Sequence, residues 1–174
     1  LSDHDAIQEA QAAACLGGIF TNVEQAFKSF GAITSSLASH ETTSYKPPLA
    51  TFYFKGRVGS SDITSMTTDV FLKVWNEDVV GVQAVEAEWT RYQDALDAGV
   101  PVAAPVLPEI VRTTGPSGYN HLVIAVEYID EDPIQSMSDV VRFSESLIQN
   151  VIQMHDEANL LHCDLKPSNL RWRN

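Results

Sequence analysis

The sequence predicts an α+β fold in which an antiparallel sheet is combined with helices. Two pairs of segments rich in aromatic and β-branched residues, 50–58 with 69–75 and 109–112 with 122–129, are each followed by a segment of helical periodicity. The chain has 174 residues, of which 44% are hydrophobic and 20% charged. A chain of this size and composition buries a core without disulfides or a structural metal.

The charge balance limits the classes of partner. With 11 Lys and Arg against 23 Asp and Glu, the formal net charge is −12, which argues against binding of a nucleic-acid polymer. The apolar run 122–126 is far shorter than the ~20 residues that span a bilayer, so we expect no membrane insertion. Cys15 and Cys163 lie far apart and form no Cys-x-x-Cys motif, which favours a reducing, intracellular location, cytoplasmic or nuclear.

Two helices are predicted at the start of the chain. The first runs from Asp3 to about Cys15, before Gly17 and Gly18, and the second runs from Asn22 to Phe30, before Gly31. The segment 34–48 is polar and contains turn residues, as a connector does. We therefore expect residues 1–48 to form an N-terminal helical extension.

The middle of the chain predicts a strand pair followed by a helix. The segments 50–58 and 69–75 are separated by a loop over 59–68, so an antiparallel pair is the simplest interpretation. The helix then ends at Gly99. Its apolar stripe consists of Val85, Trp89, Tyr92 and Leu96.

A hairpin and a long helix follow. The turn 115–118, with two glycines and a proline, joins the strands of the hairpin. The last helix is predicted to start at Ser138 or Asp139 and to end near Asn159. Its apolar face is formed by Val140, Leu147, Ile148, Val151 and Ile152.

Directly after this helix stands the segment His162-Cys-Asp-Leu-Lys-Pro-Ser-Asn169. It resembles the catalytic loop of the protein kinases, whose pattern is H-R-D-L-x-x-x-N. An Asp followed five residues later by an Asn can carry a base and a metal ligand on one loop. The alternative is a surface loop in which both side chains only make turn hydrogen bonds.

The resemblance implies a protein-kinase-like fold. Residues 49–129 would be the small lobe, an antiparallel sheet plus one helix, together with the hinge, and residues 130–174 the incomplete start of the helical large lobe. The implied activity is an ATP-dependent, Ser/Thr protein kinase-like phosphoryl transfer with Mg²⁺, acting on a protein substrate. Asp164 would be the base, Lys166 would steady the γ-phosphate and Asn169 would bind magnesium.

The same resemblance assigns roles further upstream. Val70-Phe-Leu-Lys73 resembles the kinase Val-Ala-Ile-Lys, so Lys73 would hold the α- and β-phosphates of ATP. The alternative is a lysine on the solvent face of a strand. Its carboxylate partner would be Glu88 rather than Glu86, because a separation of fifteen residues resembles the family better, although a solvated helix charge remains the alternative.

The apolar run that ends at Glu127-Tyr-Ile129 resembles the hinge, where backbone groups of Glu127 and Ile129 would bind adenine and Val126 would be the gatekeeper. On periodicity alone it is a buried strand. The acidic residues 130–132 could reach a ribose hydroxyl, or they form a solvated turn.

The sequence departs from the kinase pattern in three places. No G-x-G-x-x-G is present: Gly56 and Gly59 form only G-x-x-G, which makes 50–58 the second strand and puts the phosphate-covering loop before Pro47. Cys163 replaces the usual Arg. The sequence ends before any Asp-Phe-Gly, so we expect a fragment of a longer polypeptide that is inactive alone.

Other interpretations stay open. A pseudokinase or interaction module would keep the fold without turnover. A small-molecule kinase of the aminoglycoside or choline type shares the His-x-Asp…Asn frame, although Lys166-Pro167 argues against it. The apolar face of the last helix would be covered by a missing large-lobe segment, by the N-terminal helices or by self-association.

Overall fold

A computed structural model describes residues 1–31, 48–59, 68–162 and 169–173. The chain is an α+β protein with four α-helices and six strands in these residues. It divides into two compact units. The first comprises Leu1–Glu86 and Pro105–Tyr128, and the second comprises Ala87–Ala104 and Ile129–Asn174.

The first unit is built on an antiparallel sheet. The sheet contains β1 (Phe20–Gln25), β2 (Phe30–Gly31), β3 (Leu49–Val58), β4 (Asp69–Asn76), β5 (Val111–Thr114) and β6 (Asn120–Glu127). Its main path runs in the order β1-β3-β4-β6-β5, and the two-residue strand β2 pairs with β3 beside β1. The predicted pair 50–58 with 69–75 is confirmed as β3 and β4, and the predicted hairpin is confirmed as β5 and β6.

Helix α1 (Asp3–Ala14) packs on one face of this sheet. Ser2 and Asp5 form a capping box at its start, which satisfies backbone N–H groups that a helix end leaves unpaired. The predicted helix over Asp3 to Cys15 is therefore confirmed. The core between α1 and the sheet contains Ala10, Ala14, Phe20, Val23, Phe52, Phe54, Val70, Leu72, Val74, Val123 and Ala125.

The predicted helix from Asn22 to Phe30 is wrong. Its first residues belong to β1, which pairs antiparallel with β3 and contributes Phe20 and Val23 to the core. The ladder between β1 and β3 shifts register between Thr21 and Glu24, and Asn22 has a positive φ of 51°. This irregularity puts two buried residues three positions apart on one face, which is the spacing of a helix. The start of the chain is consequently part of the sheet.

The pairing of β1 also determines where the segment 50–58 lies in the sheet. Strand β3 lies between β1 and β4, so it is the second strand of the sheet's main path, as the missing glycine pattern predicts. The segment 34–48 predicted as a connector and the loop 60–67 lie outside the described residues, except for Pro48.

Two helices follow β4. Helix α2 (Glu77–Val80) is a single turn capped by Asn76. Helix α3 (Val82–Asp97) confirms the helix predicted before Gly99, which has a positive φ of 72°. Its buried or half-buried positions include Val85, Trp89, Tyr92 and Leu96.

The second unit contains the later part of α3 and helix α4 (Met137–Asp156). Ser136 caps α4 and forms a capping box with Asp139, so the helix starts within two residues of the predicted position and ends three residues before Asn159. The side-chain amide of Gln153 on α4 donates to the carbonyl oxygen of Ala98 at 2.7 Å. This hydrogen bond joins the end of α3 to the last turn of α4.

The apolar face of α4 is only partly covered. Leu147 and Val151 are half-buried, whereas Ile148 is 60% and Ile152 53% exposed. Of the two predicted N-terminal helices, α1 buries its apolar side against the sheet, and the first residues of the second belong to β1. Among the described residues, no helix combines the length and the apolar character needed to cross a membrane.

Candidate functional site

Lys73 lies on β4, the central strand of the sheet's main path, with β3 on one side and β6 on the other. Its partners across the ladder are Tyr53 and Ile124. Its neighbours Leu72 and Val74 are fully buried on the α1 face, so strand alternation puts the half-buried Lys73 on the opposite face. We call this opposite face the Lys73 face.

Aromatic rings surround the Lys73 ammonium group on this face. Its Nζ lies 4.8 Å from the ring centroid of Trp75 and 5.7 Å from that of Tyr53. Both distances are within the range of cation–π attraction. Lys73 is therefore positioned by ring faces on its own strand and on β3.

A second lysine lies on the Lys73 face, two residues after Tyr53. Lys55 Nζ is 3.0 Å from Asp69 Oδ2 and 3.9 Å from the ring centroid of Tyr128. The Lys55 hydrogen bond is the largest of the effects that lower the pKa of Asp69, and Arg57 contributes as well. Asp69 also accepts a backbone hydrogen bond from the Tyr128 N–H at 3.1 Å. These contacts connect Tyr128, the residue after β6, to Asp69 at the start of β4.

The predicted hinge residues fall at the end of β6. Glu127 is the last residue of this strand, pairs with Val70 and is half-buried, and the predicted gatekeeper Val126 is buried. Ile129 is half-buried and is the first residue of the second unit after the strand. The chain thus passes from one compact unit to the other within the predicted hinge.

Glu88 lies on α3 in the second unit and is half-buried, whereas Glu86 is exposed. Glu88 is therefore the more enclosed of the two carboxylates. Lys73 belongs to the first unit, and an ion pair between Lys73 and Glu88 stays a prediction.

The catalytic-loop resemblance lies largely outside the described residues. Asp164 and Lys166 fall in the segment 163–168, as does Cys163. His162 and Asn169, the residues on either side, are exposed. The motif begins six residues after the end of α4, and between them the Leu160 N–H donates to the carbonyl oxygen of Met154 at 3.0 Å.

The segment after Asn169 is joined to the acidic residues that follow the predicted hinge. The N–H of Asp132 donates to the carbonyl oxygen of Trp172 at 2.9 Å, and Arg171 lies 3.4 Å from a Glu131 carboxylate oxygen. The ring of Trp172 makes an edge contact with Phe143 on α4, with centroids 5.8 Å apart. Within the second unit, the end of the loop and the residues predicted near a ribose are therefore neighbours in space.

The glycines considered for a phosphate-covering loop have structural roles. Gly56 is buried inside β3, where an added Cβ would lie 3.2 Å from Val23 Cγ2 and 3.3 Å from Leu72 Cδ1. Gly59 donates its N–H to the carbonyl oxygen of Ile19 at 2.8 Å, which ties the end of β3 to the start of β1. Neither glycine is available to cover a phosphate.

Magnesium requires oxygen ligands, and the Asn169 side chain carries one such oxygen. The carboxylate predicted beside it, Asp164, lies outside the described residues. Within the ranges that the structure describes, no group of three or more His, Cys, Asp or Glu side chains is arranged to hold a metal ion. Among the described residues, Asn169 is thus the one side chain that the sequence predicts as a ligand of the magnesium ion.

Sequence reasoning missed the aromatic character of the Lys73 face. Tyr53 and Phe71 lie near Lys73, and Phe27 contacts both of their rings. The available signal was the period of two, which puts Tyr53 with Lys55 and Phe71 with Lys73 on one side of adjacent strands. Phe27 carried no such signal, because it lies outside the strands.

No family model and no curated protein matches this chain.

Proposed function

We propose that the chain forms part of a nucleotide-dependent phosphotransferase of the protein kinase superfamily, which transfers a phosphoryl group to a Ser or Thr hydroxyl. The observation that carries the proposal is the combination of two features. A half-buried lysine lies on the central strand of an antiparallel sheet, and the sequence pattern Asp-x-x-x-x-Asn begins eight residues after the end of a 20-residue helix. Among the five described strands longer than two residues, the lysine is on the third, as in protein kinases.

The division of the chain supports the same proposal. The chain passes from the sheet unit to the second unit between Tyr128 and Ile129, where the resemblance puts the hinge between two lobes, although Ala87–Ala104, with most of α3, is grouped with the second unit. The second unit contains a long helix, and the residues after Asn169 lie against the residues that follow the hinge. The order of elements therefore agrees with a small lobe and the start of a large lobe.

In the proposed reaction, Lys73 binds the α- and β-phosphates, and the Glu88 carboxylate holds the lysine. Backbone groups of Glu127 and Ile129 face the base. Asp164 orients the acceptor hydroxyl and takes its proton as the oxygen bonds to the γ-phosphorus, while the bond to the leaving diphosphate breaks. Lys166 steadies the transferred group. Mg²⁺, with Asn169 among its ligands, would neutralise phosphate charge.

A second candidate is a pseudokinase, which keeps the fold and binds a partner without turnover. Two observations favour it: Gly56 and Gly59 serve the packing of the sheet unit, and aromatic rings crowd the Lys73 face. A small-molecule kinase is distinguished from a protein kinase by replacing the peptide acceptor with an amino-sugar or choline.

The test uses the natural full-length protein with labelled ATP, magnesium and a Ser/Thr peptide. We expect Asp164→Asn to lower turnover at least ~100-fold while nucleotide affinity changes little, because general-base catalysis contributes ~10²–10⁴-fold. Lys73→Met should weaken nucleotide binding. The matched control is Lys28→Met, which removes an exposed lysine outside the strands.

Three results are informative against the proposal. Equal turnover of wild type and Asp164→Asn would refute the base assignment. Nucleotide binding without turnover in both proteins would favour the pseudokinase. Transfer to choline or an amino-sugar, with none to peptide, would favour the small-molecule kinase.

A further inference from the structure

Residues 170–173 follow the predicted catalytic loop and belong to no helix or strand. Because such a segment has no hydrogen-bond ladder of its own, contacts with neighbouring elements determine where it lies. It contacts Glu131 and Asp132, which follow the predicted hinge, and Phe143 on α4. All of these residues belong to the second unit.

Trp172 makes the stronger of these contacts. Its carbonyl oxygen accepts from the Asp132 N–H at 2.9 Å, and its ring meets that of Phe143 at an interplanar angle of 90°, with centroids 5.8 Å apart. This edge-to-face arrangement is a favoured geometry for two aromatic rings. The ion pair of Arg171 with Glu131, at 3.4 Å and with a carboxylate side chain that is 54% exposed, is of a kind that contributes little. Among these contacts, those of Trp172 therefore dominate.

The contacts of Trp172 restrict the position of Asn169, the predicted magnesium ligand. The two residues are three positions apart, and three residues of extended chain span at most about 11 Å. Because Asn169 is exposed, burial of its own side chain contributes little to its position. The place of Asn169 consequently depends on where Trp172 is held.

Helix α4 supports the chain on both sides of the predicted catalytic loop. Before the loop, the Leu160 N–H donates to the carbonyl oxygen of Met154 near the end of the helix. After the loop, the Trp172 ring contacts Phe143, which precedes Met154 by eleven residues on the same helix. At 1.5 Å per residue, these two attachment points are roughly 16 Å apart along α4. The chain thus leaves α4 near its end and contacts it again two to three turns earlier.

Resting on the proposed function, we propose that Trp172 is a positioning residue for Asn169. The Trp172 ring is held on α4 and its carbonyl oxygen is held by the segment after the predicted hinge. Together they fix the chain that presents the Asn169 side-chain oxygen to magnesium. Groups that orient a metal ligand without touching the ion typically change metal affinity or activity 10- to 100-fold when they are replaced. Trp172 acts in this way through three residues of backbone.

The test uses the natural full-length protein with ATP, a Ser/Thr peptide and a range of magnesium concentrations. We expect Trp172→Ala to lower kcat by ~10- to 100-fold and to raise the magnesium concentration needed for half-maximal rate by a similar factor. The KM for the peptide should stay nearly unchanged, because Asn169 is assigned to the ion and not to the acceptor. Equilibrium binding of ATP at increasing magnesium should show the same shift without turnover.

Further variants isolate the contact between the two rings. Trp172→Phe keeps a ring that can meet Phe143, so it should retain most of the magnesium affinity. Phe143→Leu keeps an apolar side chain on α4 and removes the other ring, so it should shift the magnesium requirement in the same direction as Trp172→Ala. The double variant should be no more impaired than Trp172→Ala, because both substitutions remove one contact.

Arg173→Ala is the matched control, since it replaces the exposed neighbour of Trp172 and should have no effect. Far-UV circular dichroism and urea unfolding of each variant monitor the fold. If Trp172→Ala does not fold, the comparison of Phe143→Leu and Trp172→Phe with wild type decides the question.

The outcomes separate the inference from the proposed function. An unchanged magnesium requirement in the folded variants overturns the positioning role alone, even where stability falls, because a merely structural residue behaves in that way. The role is also overturned if Trp172→Phe is as impaired as Trp172→Ala. Failure of the wild-type protein to bind ATP at any magnesium concentration overturns both the positioning role and the proposed function.

Discussion

Glu9 and Gly115 share a space that has no room for another methyl group. The Glu9 side chain, on a residue that is 5% exposed, reaches from α1 to the β5–β6 turn, where both carboxylate oxygens accept from the Ser117 N–H at 2.8 and 3.1 Å. A Cβ added to Gly115 would lie 2.3 Å from Glu9 Oε1 and 2.6 Å from Cδ. The carboxylate thus anchors α1 to the turn, and Gly115 makes the approach possible.

A methyl group at position 115 would clash with the end of the flexible Glu9 side chain, which can move away. The free-energy cost of the substitution is then the loss of the hydrogen bond between Glu9 and Ser117. Glu9→Ala removes a hydrogen bond to a charged group, which we expect to lower the free energy of unfolding by ~2 kcal/mol. Gly115→Ala should cost a similar ~2 kcal/mol, because the carboxylate must leave Ser117. The double variant should also lose about 2 kcal/mol of stability, because the methyl group at position 115 meets no carboxylate once Glu9 is alanine. The two single costs are therefore not additive, and the coupling energy between the two sites is ~2 kcal/mol.

The measurement is urea unfolding of the four proteins of this cycle, followed by circular dichroism, with hydrogen exchange of the Ser117 amide as a local probe. Gln8→Ala is the matched control, because Gln8 is exposed on the same helix and should change stability by less than ~0.5 kcal/mol. Additive costs of the two single substitutions would refute the shared space. A Glu9→Ala cost as small as that of the control would refute the anchor.

Two further predictions concern protonation. Burial lowers the pKa of His121, which is 1% exposed, and the Tyr119 carbonyl, Glu9 and Asp78 only partly oppose this shift. The folded state therefore binds a proton at His121 less readily than the unfolded state does. The stability of the protein should consequently fall as the pH drops below about 6.5. Urea midpoints at pH 7.5 and 5.5 should differ less in His121→Gln than in wild type, and equal differences would contradict this. The Ser136 hydroxyl and then Arg142 lower the pKa of Asp139 to about 2, so the stabilisation by its ionised form is present above about pH 3.9 and is lost as pH falls toward 2. Ser136→Ala should raise this pKa toward its ordinary value and speed amide exchange in the first turn of α4, and both effects can be followed by NMR. Ser144→Ala serves as the control within the helix.

The regular elements could be predicted because each has one dominant period. Strands β3 and β4 alternate in burial over residues 49–56 and 69–74, α3 and α4 have apolar residues at helical spacing, and the β5–β6 turn contains Gly115 and Gly118. Strand β1 could not be predicted in the same way, because its register shift gives a buried spacing of three. Pairing with β3, rather than local preference, determines its conformation.

The candidate site could be predicted only where a residue is tied to a motif. Lys73 was found from its neighbours in sequence, and the structure puts it on the central strand. The rings of Tyr53 and Phe71 could not be assigned to it, because the register between β3 and β4 is set by pairing across the sheet. The buried Glu9 likewise depends on a turn more than a hundred residues away, which no local pattern indicates.

The alternation of β3 and β4 also separates the side chains of the core from those of the Lys73 face within the sheet unit. Phe54 and Tyr53 are adjacent in sequence, but Phe54 is fully buried against the core with α1, whereas Tyr53 lies beside Lys73 on the opposite face. Removing a fully buried phenylalanine costs ~3–5 kcal/mol, which is a large part of the stability of an ordinary domain. A half-buried ring on the Lys73 face has less buried surface to lose, so its replacement should lower stability by less. The same period of two therefore lets one strand support the core with one set of side chains and place the other set on the Lys73 face.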